Sequence, residues 1–209
     1  MSKDPLHIST PCSPPLSSLA ATRLDPIPSD AQCEALWEEF NMLDNIRSHS
    51  RLVAEVATNL ALLGKEIGLA LNVQEVRACG LLHDIAKTYT IHHGGSHSQL
   101  GASWICELTC NPRLSQGIVH HVYWPYRIDV RAHFLPMAII YCDKRVKHDS
   151  VVSLQERFDD LVARYGKTPY IQSRIRHSFD QAEEIESALS QLLGIDLHAH
   201  TFDSGRMVD

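Results

Sequence analysis

Apolar positions recur every three or four residues through most of this chain, a period that predicts helices rather than strands. Val53, Val56, Leu60, Leu63 and Ile67 form one such stripe, and counting back four from Val53 reaches His49, an imidazole on the inward face. A shorter helix is expected before it over Ala31 to Phe40, with Ser29-Asp30 as N-cap and Leu36, Trp37 and Phe40 on one side. Asn72 offers the next cap, for a helix from Val73 to about Lys87 in which Val76, Cys79, Gly80 and His83 share a face. Thr88 to Ser96, containing His92-His93-Gly94-Gly95, reads as a glycine-broken loop, followed by a helix from His97 to about Cys110. Asn111-Pro112 starts a further helix through Leu114, Ile118 and Val119 to His120-His121. Helix geometry turns one of those histidines about 100 degrees from the other, so either one is the inward residue.

Val122 to Phe134 reads as a long loop. Its Tyr123, Trp124 and Tyr126 stand beside Arg127 and Arg131, and the rings serve either to stack on a base or to cover the core. Leu135 to Val146 is a strongly apolar helix interrupted by Asp143, four after Ile139 and three after Ile140, so that carboxylate sits on the buried face and needs a partner. Two more helices follow, Val151 to Tyr165 and about Tyr170 to Leu193, the second ended by Gly194 and with Glu183, Glu184 and Glu186 expected to face solvent. No segment has a convincing strand period. The expected fold is therefore all-α, a helical bundle in one domain over 30–194, with its core at about 45–148 and C-terminal helices at 151–194. A flexible Pro- and Ser-rich leader (1–29) and a tail (195–209) flank it.

Composition narrows the class of partner. At 209 residues with 44% hydrophobic and 21% charged residues, the chain is long enough for one substantial core. A net charge of -6 without a basic stretch provides no footprint for duplex nucleic acid or an anionic membrane, which favours a small-molecule partner. With no apolar run of membrane-span length and no secretory signal pattern, a cytoplasmic protein is expected, compatible with a homo-oligomer. The six cysteines are scattered, with no Cys-x-x-Cys pair, and read as free thiols in the core. Histidine is in excess, thirteen in all and most of them between His49 and His148.

The candidate chemistry centres on Gly80 to Thr88, GLLHDIAKT. Here His83 and Asp84 follow an apolar run, where unpaired polar groups are costly to bury. A hydrogen-bonded pair at a helix end would satisfy them, and so would a divalent cation. Lys87 follows on the same turn as His83, placed to meet an anion. The inward polar groups are His49, His83, Asp84, His97, His120 or His121, and Asp143. They come from at least four helical segments, and their convergence on metal is the economical reading. Nitrogen and oxygen donors without thiolate suit Fe, Mn, Co, Ni, Zn or Mg.

The ordered pattern of His49, the doublet in LLHDIAK and the distant acid in AIIYCDKRV resembles the HD superfamily of metal-dependent phosphohydrolases (HDIG type) over about residues 45 to 148. The resemblance implies an all-helical fold in which His49, His83, Asp84 and Asp143 hold one metal. A narrower likeness is to the two-metal branch that includes bacterial symmetrical dinucleoside-tetraphosphate hydrolases, through HSQLGA at His97 and GIVHH. By that likeness His97 and His121 hold a second metal, with Asp84 bridging both. The segment after His121, VYWPYRID, departs from the Thr- and Gly-containing sequence usual there.

The expected activity is hydrolysis of a phosphoester or phosphoanhydride in a nucleotide-like substrate, by water that the metal activates. Asp84 and Lys87 are the catalytic candidates. Lys87, Lys144, Arg145, Trp124 and Arg127 are the substrate-binding candidates, although Lys144, Arg145 and Lys147 also fit a cationic patch that complements a helix dipole. Two rival readings are a mononuclear nucleotidase using only His49, His83, Asp84 and Asp143, and a non-catalytic metal- or nucleotide-binding regulatory module.

Overall fold

Ser29 opens the helical body with a capping box: its hydroxyl accepts from Gln32 N, and the Gln32 side chain accepts from Ser29 N. The computed structural model describes residues 24–198 together with 202–203 and 206–207. Nine helices make up the described body. They are α1 (Asp30–Glu39), α2 (Asp44–Glu66), α3 (Val73–Leu82), α4 (Lys87–His93), α5 (His97–Thr109), α6 (Pro112–His120), α7 (Phe134–Arg145), α8 (Leu154–Tyr165) and α9 (Pro169–Leu193). Two antiparallel pairs of two-residue strands join them, β1 (Val146–Lys147) with β2 (Ser150–Val151) and β3 (Phe202–Asp203) with β4 (Arg206–Met207). The fold is all-α, as the apolar period predicts.

Caps explain most boundaries. Asn72, Ser96, Asn111, Ser153 and Thr168 each accept a backbone N–H in the first turn of the helix they precede. Pro112 and Pro169 sit in first turns, where their missing N–H costs no hydrogen bond. Helix α9 ends at Gly194, whose φ of +71° suits glycine.

The stretch expected as one helix over Val73 to Lys87 is instead two helices. α3 stops at Leu82, and consecutive three-residue turns, Ile85 N to Leu82 O and Lys87 N to Asp84 O, lead into α4. Helix α4 occupies much of the expected loop and ends where Gly94 and Gly95 take φ of +77° and +97°. At this break the His83 imidazole turns back on Gly80 O, taking up one of the carbonyls left free at the helix end.

Helix α7 is the axle of the bundle, buried along its whole length and packed against α2, α3, α6, α8 and α9. Helices α2 and α3 approach closely where Gly80 lies on Ala54; a Cβ at Gly80 would fall 2.6 Å from Ala54 Cα. Trp37, fully buried, donates its indole N–H to Leu81 O at 2.9 Å and ties α1 to α3.

Several expectations change with the tertiary structure. Residues 1–23 of the expected leader lie outside the described residues, but its end is tied down: Leu24 N donates to Leu108 O, Asn111 to Pro26 O and Gln74 to Pro28 O. Glu186 was expected in solvent and is buried, accepting from Tyr141 Oη at 3.0 Å and paired with Arg145 at 3.3 Å. Arg145 in turn donates to the carbonyls of Val152 and Leu197, so this ionic cluster holds α9 and the chain after it onto α7. Lys144 is likewise buried rather than part of a surface patch. Among the described residues no helix is long and apolar enough to cross a membrane.

Candidate metal centre

Two histidines are set by the same local device. His83 caps the C-terminus of α3 and His121 that of α6. Each imidazole folds back so that Nδ1–H donates to the carbonyl three residues earlier, Gly80 O and Ile118 O, both at 2.7 Å. That bond fixes the tautomer and leaves the Nε2 lone pair pointing into the core. His97 is the first residue of α5, His49 lies in the second turn of α2, and Asp143 comes from the last turn of α7.

Asp84 is where these groups meet. Its Oδ1 lies 3.3 Å from His97 Nε2 and 3.5 Å from His121 Nε2, while Oδ2 lies 3.5 Å from His83 Nε2 and 2.6 Å from Lys87 Nζ. Asp143 Oδ1 is 3.0 Å from His49 Nε2 and 3.8 Å from His83 Nε2, and its other oxygen accepts from Lys144. Two groups result. The donor atoms of His49, His83 and Asp84 lie within 4.8 Å of one another, and so do those of Asp84, His97 and His121.

The chemistry of this set fits divalent cations. His83 Nε2 and Asp84 Oδ1 are fully buried without a hydrogen-bond partner, an arrangement that costs a few kcal/mol unless something fills it. Lone pairs and carboxylate oxygens converge there with few protons between them, and a cation satisfies all at once. Burial pushes the imidazoles toward the neutral, ligating form, His83 down to about 3 and His97 down to about 4, despite the pull of Asp84. Burial works against ionisation of both acids. Lys87 and His83 nevertheless hold Asp84 well below the usual carboxylate range, and Lys144 and His49 do so for Asp143. Lys87 is kept cationic, because Asp84 and Asp143 outweigh its own desolvation.

His49, Asp84, His97, His121 and Asp143 of this cluster form the floor of a cavity of about 530 Å³, and His83 lies beneath it. Of the substrate-binding candidates, Lys87 and Lys144 line it. Arg145 is turned into the Glu186 cluster on the other side of α7. Trp124 is buried and bonds Arg127 O, so it covers the core, and Arg127 is an exposed residue outside the cavity. Tyr123 does reach the cavity wall. His121 is the inward member of its pair, whereas His120 is half-buried with its ring against Trp124. His92 and His93 are exposed and away from the cluster.

The periodicity did not point to the cavity's remaining wall. Helices α8 and α9 and the β1–β2 turn supply His148, Arg157, Arg164, Arg174 and His177, with Phe158, Leu161 and Ile175 between them. The available signal is the seven-residue spacing of Arg157 and Arg164, which puts two cations on one face of α8.

Residues 46–138 match the family described as HD domain. The chain is 29% identical over 132 residues to an uncharacterized protein of Methanocaldococcus jannaschii, covering 54% of this chain and 77% of that one. It is 34% identical over 77 residues to ribonuclease Y of Dehalococcoides mccartyi, covering 37% of this chain but 14% of the relative. The ribonuclease Y of Opitutus terrae is 32% identical over 82 residues, 39% of this chain and 15% of that protein. No solved structure matches the chain. The helical fold and the His-Asp cluster at its core agree with the match of residues 46–138 to the HD domain family.

Proposed function

We propose that this protein is a metal-dependent phosphohydrolase with a two-metal centre, cleaving a phosphoester or phosphoanhydride in a nucleotide-like substrate. The observation that carries the reading is Asp84, whose two oxygens are divided between two histidine groups. His49, His83, Asp84 and Asp143 would hold one ion, and Asp84, His97 and His121 the other. Bound there, divalent metals supply an activated water near neutral pH and positive charge for the phosphoryl oxygens.

The chain's own groups prepare the rest. Asp84, held ionised by Lys87, would help hold both ions and would be the acceptor that orients the attacking nucleophile. Lys87 and Lys144 place ammonium groups at the cavity floor, where charge builds on the phosphate in the transition state. The apolar side chains Phe158, Leu161 and Ile175 give a base or other ring a dry surface. The likeness to ribonucleases Y adds phosphodiesters to the bonds worth testing.

Metal content by elemental analysis, on protein purified without chelator or affinity histidines, tests the centre. Close to two metals per chain, with one lost in His97→Ala and both weakened in Asp84→Ala, supports the dinuclear hydrolase. The mononuclear nucleotidase draws on Asp143, which adds a fourth donor to the first group only. One metal, unchanged by His97→Ala, moves the assignment there. Absence of turnover on a panel of nucleotides, dinucleoside polyphosphates and phosphodiesters, with each candidate metal, leaves a binding module.

A further inference from the structure

The acids lining the cavity are Asp84 and Asp143, both among the metal-ligand candidates, whereas its cations are more numerous and lie on two sides. Lys87 and Lys144 stand at the floor. Arg157, Arg164 and Arg174 come from α8 and α9, outside the segment that matches the HD domain.

Among the described residues, the three guanidiniums pair with fewer carboxylates than their own number. Asp160 serves two of them. Arg164 takes both its oxygens, at 3.0 and 2.8 Å, and leaves Arg157 a long contact of 3.4 Å. Arg157 has a largely buried side chain, and its Nε–H is fully buried with no acceptor among the described residues. A buried donor on a charged group without an acceptor is an arrangement that a bound anion would complete. Arg174 has no carboxylate partner among the described residues and lies over the Tyr123 ring, 5.8 Å from its centroid.

The β1–β2 turn supports the same surface. His148 sits between the paired residues Lys147 and Ser150 with φ of +58°, a backbone region that non-glycine residues adopt at a cost. In that position its Nε2 accepts from Arg164 at 2.8 Å and holds the guanidinium at the cavity wall. His148 is thus a positioning residue for Arg164.

We propose that Arg157 and Arg164, with His148 behind them, form a second anion subsite, and that the substrate carries a further phosphate beyond the one hydrolysed. The inference rests on the phosphohydrolase reading of the cavity floor. Lys87, Lys144, Arg157 and Arg164 line the same cavity, so linked phosphates would span the two cationic groups. A single phosphate would engage the floor and leave the α8 guanidiniums unanswered. The subsite therefore selects for a diphosphate or longer chain.

Calorimetric titration of the metal-loaded protein with orthophosphate and with pyrophosphate, the divalent metal in excess over either ligand, tests this. Pyrophosphate should bind about tenfold or more tightly than orthophosphate, the worth of one charge-assisted hydrogen bond. Arg157→Gln and, separately, the exposed Arg164→Gln should remove most of that difference while leaving orthophosphate affinity within about twofold. Melting curves check that each variant is folded; should Arg157→Gln fail to fold, Arg164→Gln carries the test. Equal binding of the two ligands by the wild type, or unchanged discrimination in the folded variants, overturns the subsite. Preserved discrimination without turnover on any substrate would sink the hydrolase reading and leave the subsite standing.

Discussion

His97 Nε2 and His121 Nε2 face each other across 3.1 Å, although His121 already spends its Nδ1–H on Ile118 O. With Nδ1 so used, a neutral His121 ring turns its Nε2 lone pair toward His97, which burial drives toward the neutral form. A cation between them and Asp84 replaces that contact with ligand bonds. Added divalent metal should then raise the melting temperature of metal-free protein. At a hundredfold excess over Kd the stabilisation is about 2.7 kcal/mol for one site. Scanning calorimetry against metal concentration checks this, and His121→Ala should remove part of the rise.

Stability of the metal-free protein should fall as pH drops. Unfolded imidazoles take up a proton near 6.5, whereas folded His83 resists to about 3 and His97 to about 4. Between those values the unfolded state binds more protons, so acid favours unfolding. Asp84 and Asp143, depressed below 3.8, add a further loss at lower pH. Melting temperatures should decline steadily from about pH 7 to about pH 4.5, and a flat profile would contradict the buried neutral imidazoles.

Lys87→Gln should lower kcat about 10²-fold to 10³-fold, as loss of a charge that acts on the transition state. Arg127→Ala should leave both kcat and KM unchanged, because that side chain lies on the surface outside the cavity. Steady-state kinetics on whichever substrate the panel identifies decides both.

Glu186→Ala should destabilise the fold by about 1 to 3 kcal/mol, the cost of removing a buried acceptor from its hydrogen-bond partners. Glu186 pairs with Arg145 and accepts from Tyr141 Oη, so its removal takes an acceptor from both. Urea denaturation measures the loss. Since α9 forms part of the cavity wall, substrate binding should weaken alongside it.

Gly80→Ala should also destabilise, by about 1 to 3 kcal/mol, since overpacking against backbone cannot be relieved by a side-chain rotation. The added methyl would meet Ala54 Cα at 2.6 Å and pry α2 from α3, the helices that carry His49 and His83. Metal affinity should fall with stability.

What the chain's own pattern determined was the helices and the polar groups that turn inward. A 3.6-residue period is local, so the stripe from Val53 to Leu63 places His49 inward without knowledge of its partners, and Asp143 stands out because nothing near it in sequence explains a buried acid. Contacts between distant segments decided the rest. His49 meets Asp143 across 94 positions, and whether His120 or His121 joins Asp84 depends on where α6 ends. The helix expected through Lys87 stops at Leu82, where His83 bonds Gly80 O, a choice between two local hydrogen-bond patterns that periodicity does not resolve. Glu186 looks like its solvated neighbours until α9 docks and meets Arg145, and Arg157 becomes a cavity residue only when α8 closes over the centre. In each case a long-range packing energy, absent from any short window of sequence, selected among locally equivalent alternatives.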